Sequence, residues 1–137
     1  MPAHTFNKQE KLKSKKIIAS LFRGGQSITA YPLKLVWGST EKKSTNYPIQ
    51  FSLSVAKRKF PLATDRNLLR RRIRESYRQR KSVLYEQLPK HLSSDFAFMI
   101  LYIGKSTMPY RDIDKSMRKI LNRFVSASGG SASNKSS

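Results

Sequence analysis

The spacing of hydrophobic residues predicts three helices and four strands. A first helix, capped by Ser14, runs to Arg23 and ends at Gly24-Gly25. Its apolar stripe consists of Ile17, Ile18, Leu21 and Phe22. The clearest strand runs from Ile49 to Val55, because hydrophobic and polar residues alternate along it. Small hydroxyl side chains leave its polar face open, either to solvent or as the floor of a groove.

Three further strands are expected at 26–29, 33–37 and 95–103. The last is apolar on both faces, which is typical of an inner strand. A second helix begins at an N-cap on Asp65 and runs to about Gln87, and a third starts at Pro109. The predicted order is α-β-β-β-α-β-α, an α/β (α+β) two-layer sandwich with a four-stranded sheet.

Length and composition favour a single domain. The chain has 137 residues and is 38% hydrophobic, enough for one core but short for two. We predict one domain over residues 1–125, opening with a polar arm at 1–13. The Ser/Gly-rich tail at 126–137 is predicted to be disordered, because it contains little that a core could bury.

The charge balance indicates a polyanionic partner. Lys and Arg number 28 against 8 Asp and Glu, a net charge of +20. No stretch has the apolar length of a membrane span, so no membrane role is expected. The absence of cysteine excludes disulfides. No secretion signal opens the chain, so a cytoplasmic location is predicted.

The second helix concentrates this charge on one side. At 100° per residue, an arc about 100° wide holds Asn67, Arg70, Arg71, Arg74, Arg78 and Lys81. The adjoining arc holds Leu69, Ile73, Ser76, Tyr77, Val83 and Leu84 and is expected to face the core. Planar guanidinium groups one turn apart suit phosphate oxygens. A merely solvated face is the alternative, but such faces usually mix charges of both signs. Arg72 and Arg80 fall outside the basic arc and are expected to be solvated or to lay their stems on apolar surface.

A catalytic set is not evident in the sequence. The only histidines are His4 in the arm and His91 in a loop, and a two-histidine mechanism would have to bring them together. Asp112 and Asp114 are better explained as favourable charges at the start of the last helix. No metal site is predicted in the protein. The chain has the character of a positioning protein.

Residues 6–124 resemble the protein component of bacterial ribonuclease P. The matching segments are Glu-Lys-Leu-Lys at 10–13, Phe-Arg-Gly-Gly at 22–25, the strand at 51–55 with Ala-Lys-Arg-Lys at 56–59, Arg66-Asn67, Arg70-Arg71, and Ile-Arg-Glu at 73–75. The last three are the most specific. Leu68 stands where this family usually has a second arginine, but it projects away from the basic arc.

The resemblance implies a left-handed β-α-β crossover through the arginine-rich helix, as in a ribosomal-protein domain of similar fold. It also implies a division of labour in removing the 5′ leader from precursor tRNA. The catalytic RNA subunit carries the hydrolysis, with Mg²⁺ held by the RNA and substrate. The protein, one monomer per RNA, assists binding and is expected to be inactive alone.

The resemblance further assigns two sets of site residues. Those expected to bind the RNA subunit are Arg66, Asn67, Arg70, Arg71 and Arg74, and Arg78 of the basic arc is predicted to bind with them. Those expected to bind the leader are Ile18, Phe22, Val36, Ser54, Lys57 and Arg58. Phe22 is equally compatible with the core. The family often has aromatics at the positions of Ile18 and Val36, so base stacking falls mainly to Phe22.

Two other functions fit a small basic α/β chain. A ribosomal-type structural RNA-binding protein has the same composition. A double-stranded nucleic-acid binder reading a major groove would use Arg70, Arg74 and Arg78, although base readout favours more varied side chains than a nearly uniform row of arginines.

Overall fold

The computed structural model describes residues 18, 23–39, 49–88 and 96–127. Four strands form one sheet: β1 (Gln26–Ala30), β2 (Leu33–Ser39), β3 (Ile49–Val55) and β4 (Phe96–Tyr102). Their order across the sheet is β1-β2-β4-β3. β1 and β2 pair antiparallel, as do β2 and β4, whereas β3 and β4 pair parallel. The prediction that the last strand is an inner strand is confirmed.

Two long helices accompany the sheet. The arginine helix (Ala63–Gln87) connects the parallel strands β3 and β4, and the C-terminal helix (Tyr110–Ala127) follows β4. The mixed α/β fold with a four-stranded sheet is therefore confirmed. The left-handedness of the β3–β4 crossover and the one-domain organisation stay predictions. Of the first predicted helix, Ile18, Arg23 and Gly24 have helical backbone, and Ser14 and Phe22 lie outside the described residues.

Two helix boundaries differ from the sequence prediction. The prediction of Asp65 as N-cap is wrong, because the backbone N–H of Arg66 already bonds the carbonyl of Leu62 at 3.2 Å. Asp65 instead lies in the first turn, where a negative charge is favourable. The C-terminal helix begins directly after Pro109 and includes Ser126 and Ala127, so these residues are not part of a disordered tail. Residues 128–137 lie outside the described part.

Both long helices cover the same face of the sheet. Side chains from alternate strand positions meet the apolar sides of the two helices in one hydrophobic core. Aromatic rings fill its centre: Phe51 stacks on Tyr77 with ring centroids 4.1 Å apart, and Phe98 meets Phe124 edge-on at 4.6 Å. Because this core joins the sheet to both helices, it fixes which helical residues remain on the surface.

The other face of the sheet carries a smaller hydrophobic cluster. Val36, Ala97 and Met99 are buried there, and Ile18 and Leu101 pack against them. The residue pairs Val36–Met99 and Ser54–Leu101 place the hydroxyl side of β3 on this same face. Ile18 therefore contacts the sheet from the side opposite to the two long helices.

Candidate nucleic-acid interface

One side of the arginine helix is exposed and basic. Asn67, Arg70, Arg71 and Arg74, here called the arginine face, are all exposed. On the opposite side Leu69, Ile73 and Tyr77 have no exposed surface. The apolar residues anchor the helix on the sheet, and this anchoring holds the arginine face toward solvent. The predicted orientation of this part of the helix is confirmed.

The guanidinium groups of the arginine face have no acidic partner among the described residues. The two salt bridges found in that part of the chain join Arg78 to Glu75 and Arg80 to Asp114. Arg70, Arg71 and Arg74 are close neighbours along the helix. No described carboxylate neutralises their charges. Like charges at this spacing repel one another. Binding of a polyanion relieves that repulsion.

Arg78 borders the arginine face but differs from it. Its Nε and Nη2 atoms donate to the two carboxylate oxygens of Glu75 at 3.0 and 2.6 Å. This hydrogen bonding raises the pKa of Arg78 above its ordinary value. Gln79 donates to the same carboxylate at 2.6 Å. The charge of Arg78 is therefore partly compensated within the helix.

Arg66 connects the arginine helix to the turn before it. Its Nη1 atom donates to the carbonyls of Phe60 and Pro61 at 2.8 and 3.0 Å. Phe60 is buried against the edge of the Tyr102 ring. Arg66 is half-buried. Its hydrogen bonds connect the chain that follows the basic turn at residues 57–59 to the start of the arginine helix.

Two predicted orientations on this helix are wrong. Lys81 was assigned to the basic arc, but only 3% of its surface is exposed. It follows the buried Tyr77 by one helical turn, so it lies on the side that packs against the core. Val83 was assigned to the core, but it is 56% exposed. The helix packs against both the sheet and the C-terminal helix, and no single predicted arc describes these two contacts.

Arg72 and Arg80 also differ from expectation, because they link the arginine helix to the C-terminal segment. Arg72 Nη1 donates to the Met108 carbonyl at 2.5 Å. Arg80 binds both carboxylate oxygens of Asp114, at 2.8 and 2.5 Å. The interpretation of Asp114 as only a first-turn charge is therefore incomplete. These guanidinium groups have structural partners and do not extend the arginine face.

The residues predicted to hold the leader are only partly brought together. Ile18 and Val36 meet in the hydrophobic cluster on the second face of the sheet, where Val36 is 6% exposed. Ser54 is half-buried on that face beside Leu101. Lys57 and Arg58 are exposed in the turn that directly follows β3. Phe22 lies outside the described residues.

A further basic surface was not singled out from the sequence. The C-terminal helix exposes Arg111, Lys115, Arg118 and Lys119. Their spacing of three and four residues is visible in the sequence and is typical of one helix face. The apolar residues at positions 113, 117, 120, 121 and 124 form the stronger pattern in the sequence, and they indicate only the core side of this helix.

Within the described ranges, no group of three or more His, Asp or Glu side chains is placed to hold a metal ion. The helices that the structure describes also lack the apolar length that crossing a bilayer requires. The described residues thus form an exposed cationic helix face and a partly open sheet face.

Comparisons with known proteins point to one family. The family model described as Ribonuclease P matches residues 6–125. The ribonuclease P protein component of Chlorobium phaeobacteroides is 34% identical over 107 residues, which cover 74% of this chain and 73% of the relative. The corresponding protein of Porphyromonas gingivalis strain W83 is 29% identical over 125 residues, covering 90% and 89%.

Solved structures with the same fold agree. The RNase P protein of Staphylococcus aureus superposes with a TM-score of 0.64 at 17% identity, covering 85% of this chain and 96% of that one. The RNase P protein from Thermotoga maritima gives a TM-score of 0.63 at 23% identity, covering 83% and 96%. At these identities the two likenesses establish the fold.

Proposed function

The chain belongs to the ribonuclease P protein family, and from this premise we propose how it serves as the protein component of that tRNA-processing ribonucleoprotein. The arginine face docks on the catalytic RNA subunit. The second face of the sheet and the basic turn receive the 5′ leader of precursor tRNA. The RNA carries out the hydrolysis with Mg²⁺ held by RNA and substrate, one protein monomer acts with each RNA, and the complex works in the cytoplasm.

The observation that carries this proposal is the set of exposed guanidinium groups at Arg70, Arg71 and Arg74 on a helix anchored to the core. Since no described carboxylate neutralises them, they are available for charge-assisted hydrogen bonds to phosphate. A rigid helix presents them without a large ordering cost on binding. Asn67 adds an amide that can donate to a phosphate or a sugar.

Arg66 and Arg78 take supporting parts in this proposal. Arg66 holds the turn before the helix through the Phe60 and Pro61 carbonyls, so it positions the arginine face relative to the basic turn. Arg78 remains a contact at the edge of the face. The bidentate bond from Arg78 to Glu75 has to open, or be shared, before the Arg78 guanidinium can bind phosphate fully. The contribution of Arg78 to RNA binding is therefore smaller than that of Arg70 or Arg74.

The leader assignment is supported by the position of the basic turn. Lys57 and Arg58 are exposed directly beyond the end of β3, and Ser54 precedes them on the open face. A single strand that passes over this face can place its phosphates on the two cations. Ile18 and Val36 form the apolar base of this region through their packing with Met99, which leaves direct base stacking to Phe22.

The test is cleavage of precursor tRNA at low magnesium concentration. The reaction is run with the RNA subunit of the same genome alone, with this chain alone, and with both. Stimulation that requires both components supports the proposal. Cleavage by the protein alone contradicts the division of labour. If no mixture is active but the chain sediments with ribosomal particles, the structural RNA-binding alternative is the correct one.

A further inference from the structure

The C-terminal helix has an exposed basic surface separate from the arginine face. Arg111, Lys115, Arg118 and Lys119, here called the C-terminal stripe, are all exposed. They recur at intervals of four, three and one residues, so they share one sector of the helix. The distance along the helix axis from the first to the last is about 12 Å, at 1.5 Å per residue.

The helix that carries the stripe neutralises it only in part, through an electrostatic interaction between Arg118 and Asp114. The two acidic residues of this helix lie in its first two turns, at Asp112 and Asp114. Asp114 is directed at the arginine helix, where it binds Arg80 and Ser76. No described carboxylate forms a salt bridge with Lys115, Arg118 or Lys119. The two salt bridges in the described ranges involve Arg78 and Arg80.

The stripe and the arginine face point in different directions. Arg72 and Arg80 bond to the C-terminal segment, so they mark the side of the arginine helix that faces it. Arg74 follows Arg72 by two residues and is therefore rotated about 160° from it. The arginine face is thus turned away from the C-terminal helix, and the two basic surfaces face different directions.

We propose that the C-terminal stripe is a second RNA-binding surface, which takes the phosphate backbone of another segment of the ribonuclease P RNA. This inference rests on the proposed function, because it assigns a second contact to the same RNA partner. The two surfaces act together as a bivalent electrostatic clamp. Binding at one raises the effective concentration of the RNA at the other.

Charge and hydrophobicity favour nucleic acid over a protein as the occupant. Protein interfaces have an apolar centre and few lysines. In the described part of the chain, the large exposed hydrophobic residues are Tyr31, Leu62 and Val83, and none belongs to the C-terminal helix. Val83 of the arginine helix lines a groove with Arg118 at one edge of the stripe. The stripe itself consists of arginine and lysine, which match a phosphate backbone.

The first test measures how protein affinity for the RNA subunit depends on salt. The variant Lys115→Gln/Arg118→Gln/Lys119→Gln should flatten the log-salt slope by about two to three units, close to one unit per lost phosphate contact. For single changes, Arg118→Gln is compared with Arg123→Gln. Arg123 is on the same helix, but its Nη1 atom donates to the Thr29 carbonyl at 2.9 Å beside β1. Its replacement should leave the slope unchanged.

A parallel variant separates this inference from the proposed function. Arg70→Gln/Arg74→Gln should flatten the slope independently, and the combined variant should show the sum of both effects, because the surfaces do not touch. If only the arginine-face variant changes the slope, the second surface is disproved and the proposed function stands. If neither changes it, the proposed docking of the RNA also fails.

Directed cleavage gives an answer that does not depend on affinity. The chain contains no cysteine, so Asn122→Cys supplies one attachment point for an iron chelate that generates hydroxyl radicals. Asn122 is exposed next to Arg118 and Lys119 on the same helix. We expect strand cleavage of the bound RNA at positions different from those cut from Asn67→Cys. Cleavage from Asn67→Cys alone would overturn the second surface.

Discussion

Arg80 and Asp114 join the two long helices by a bidentate ion pair, with Nε–Oδ1 and Nη2–Oδ2 distances of 2.8 and 2.5 Å. Ser76 donates to the same carboxylate at 2.7 Å. Ser76, Arg80 and Asp114, which come from two helices, thus form hydrogen bonds with one another at a half-buried position. The pair explains why an arginine in the middle of a basic helix is not part of its binding surface.

Replacing Asp114 should destabilise the fold. Asp114→Asn leaves the half-buried guanidinium of Arg80 without a counter-charge, at a cost of about 1–2 kcal/mol in the free energy of unfolding. Urea denaturation measures this change. Asp112→Asn is the matched control, since it removes the same charge from the first turn of the same helix. It should cost less than about 1 kcal/mol, the range of a helix-dipole interaction.

The effect of Asp114 should depend on pH. The hydrogen bond from Arg80 lowers the pKa of Asp114 below its ordinary value. The ionised carboxylate is therefore favoured in the folded state, and its contribution to stability is present above the unfolded pKa of about 4. It is lost as the pH falls through the lower folded pKa. The gap between wild type and Asp114→Asn should close in that acidic range, and a gap that stayed constant would argue against the ion pair.

Two arginines of the same helix should give opposite results. Arg74→Ala should flatten the log-salt slope of RNA-subunit binding by about one unit, with little effect on unfolding because Arg74 is exposed. Arg80→Ala should lower the unfolding free energy and leave the salt slope unchanged. Binding titrations and urea melts of both variants test this. Equal behaviour in both assays would show that the division between binding and structural arginines is wrong.

The basic turn should distinguish precursor from mature tRNA. Lys57→Gln/Arg58→Gln removes two exposed cations that are proposed to contact leader phosphates. We expect the affinity of the holoenzyme for precursor tRNA to fall about threefold to tenfold, equivalent to about 1 kcal/mol. Affinity for mature tRNA, which has no leader, should not change.

The control for this measurement is Lys105→Gln, an exposed cation in the loop after β4. It should preserve the preference for precursor over mature tRNA. If Lys57→Gln/Arg58→Gln weakened both tRNAs equally, the turn would contact the tRNA body or the RNA subunit, and the leader assignment would be incorrect.

Gly104 should not tolerate a side chain. A Cβ atom at this position would lie 2.8 Å from Tyr102 Oη and 2.9 Å from Cζ and Cε2 of the ring. The Tyr102 hydroxyl is held by a bond to the Ser106 carbonyl at 2.5 Å and by the Met108 N–H at 3.0 Å, so the ring cannot move freely. Gly104→Ala should cost about 1–3 kcal/mol by overpacking.

Gly24→Ala serves as the comparison in the same thermal or urea melts. A Cβ atom there would meet nothing within 4 Å, and the residue is helical. Alanine has the higher helix propensity, so this variant should be neutral or slightly stabilising, by under about 1 kcal/mol. A loss of stability at Gly24 equal to that at Gly104 would contradict the steric explanation.

Much of the fold was predictable because local patterns and the core agree. The alternation from Ile49 to Val55 predicted β3 with its observed bounds, and the doubly apolar segment after residue 95 predicted the inner strand β4. The periodicity of the arginine helix placed Leu69, Ile73 and Tyr77 in the core and Arg70, Arg71 and Arg74 outside. A residue pattern predicts the buried and exposed sides of a helix correctly when a single dominant contact buries that helix.

The errors arose where one element has two neighbours. The arginine helix packs against the sheet and also against the C-terminal helix, so Lys81 is buried and Val83 is exposed. No spacing within residues 63–87 indicates that Arg80 lies opposite Asp114, which is 34 positions away. Likewise, Asp65 is a suitable cap residue, but the path of the chain through Pro61 and Leu62 starts the helix three residues earlier.

The sequence by itself determined the basic character, the order of elements, the family and the exposed arginine face, because charge count and periodicity are local properties of the chain. Only the tertiary structure decided which cations remain on the surface. Packing gave Arg72 and Arg80 structural partners, and it engaged Asp114 with Arg80 and Ser76 of the arginine helix. A charge becomes a binding group or a structural group according to which neighbours the fold places within hydrogen-bonding distance, and those neighbours come from distant parts of the chain.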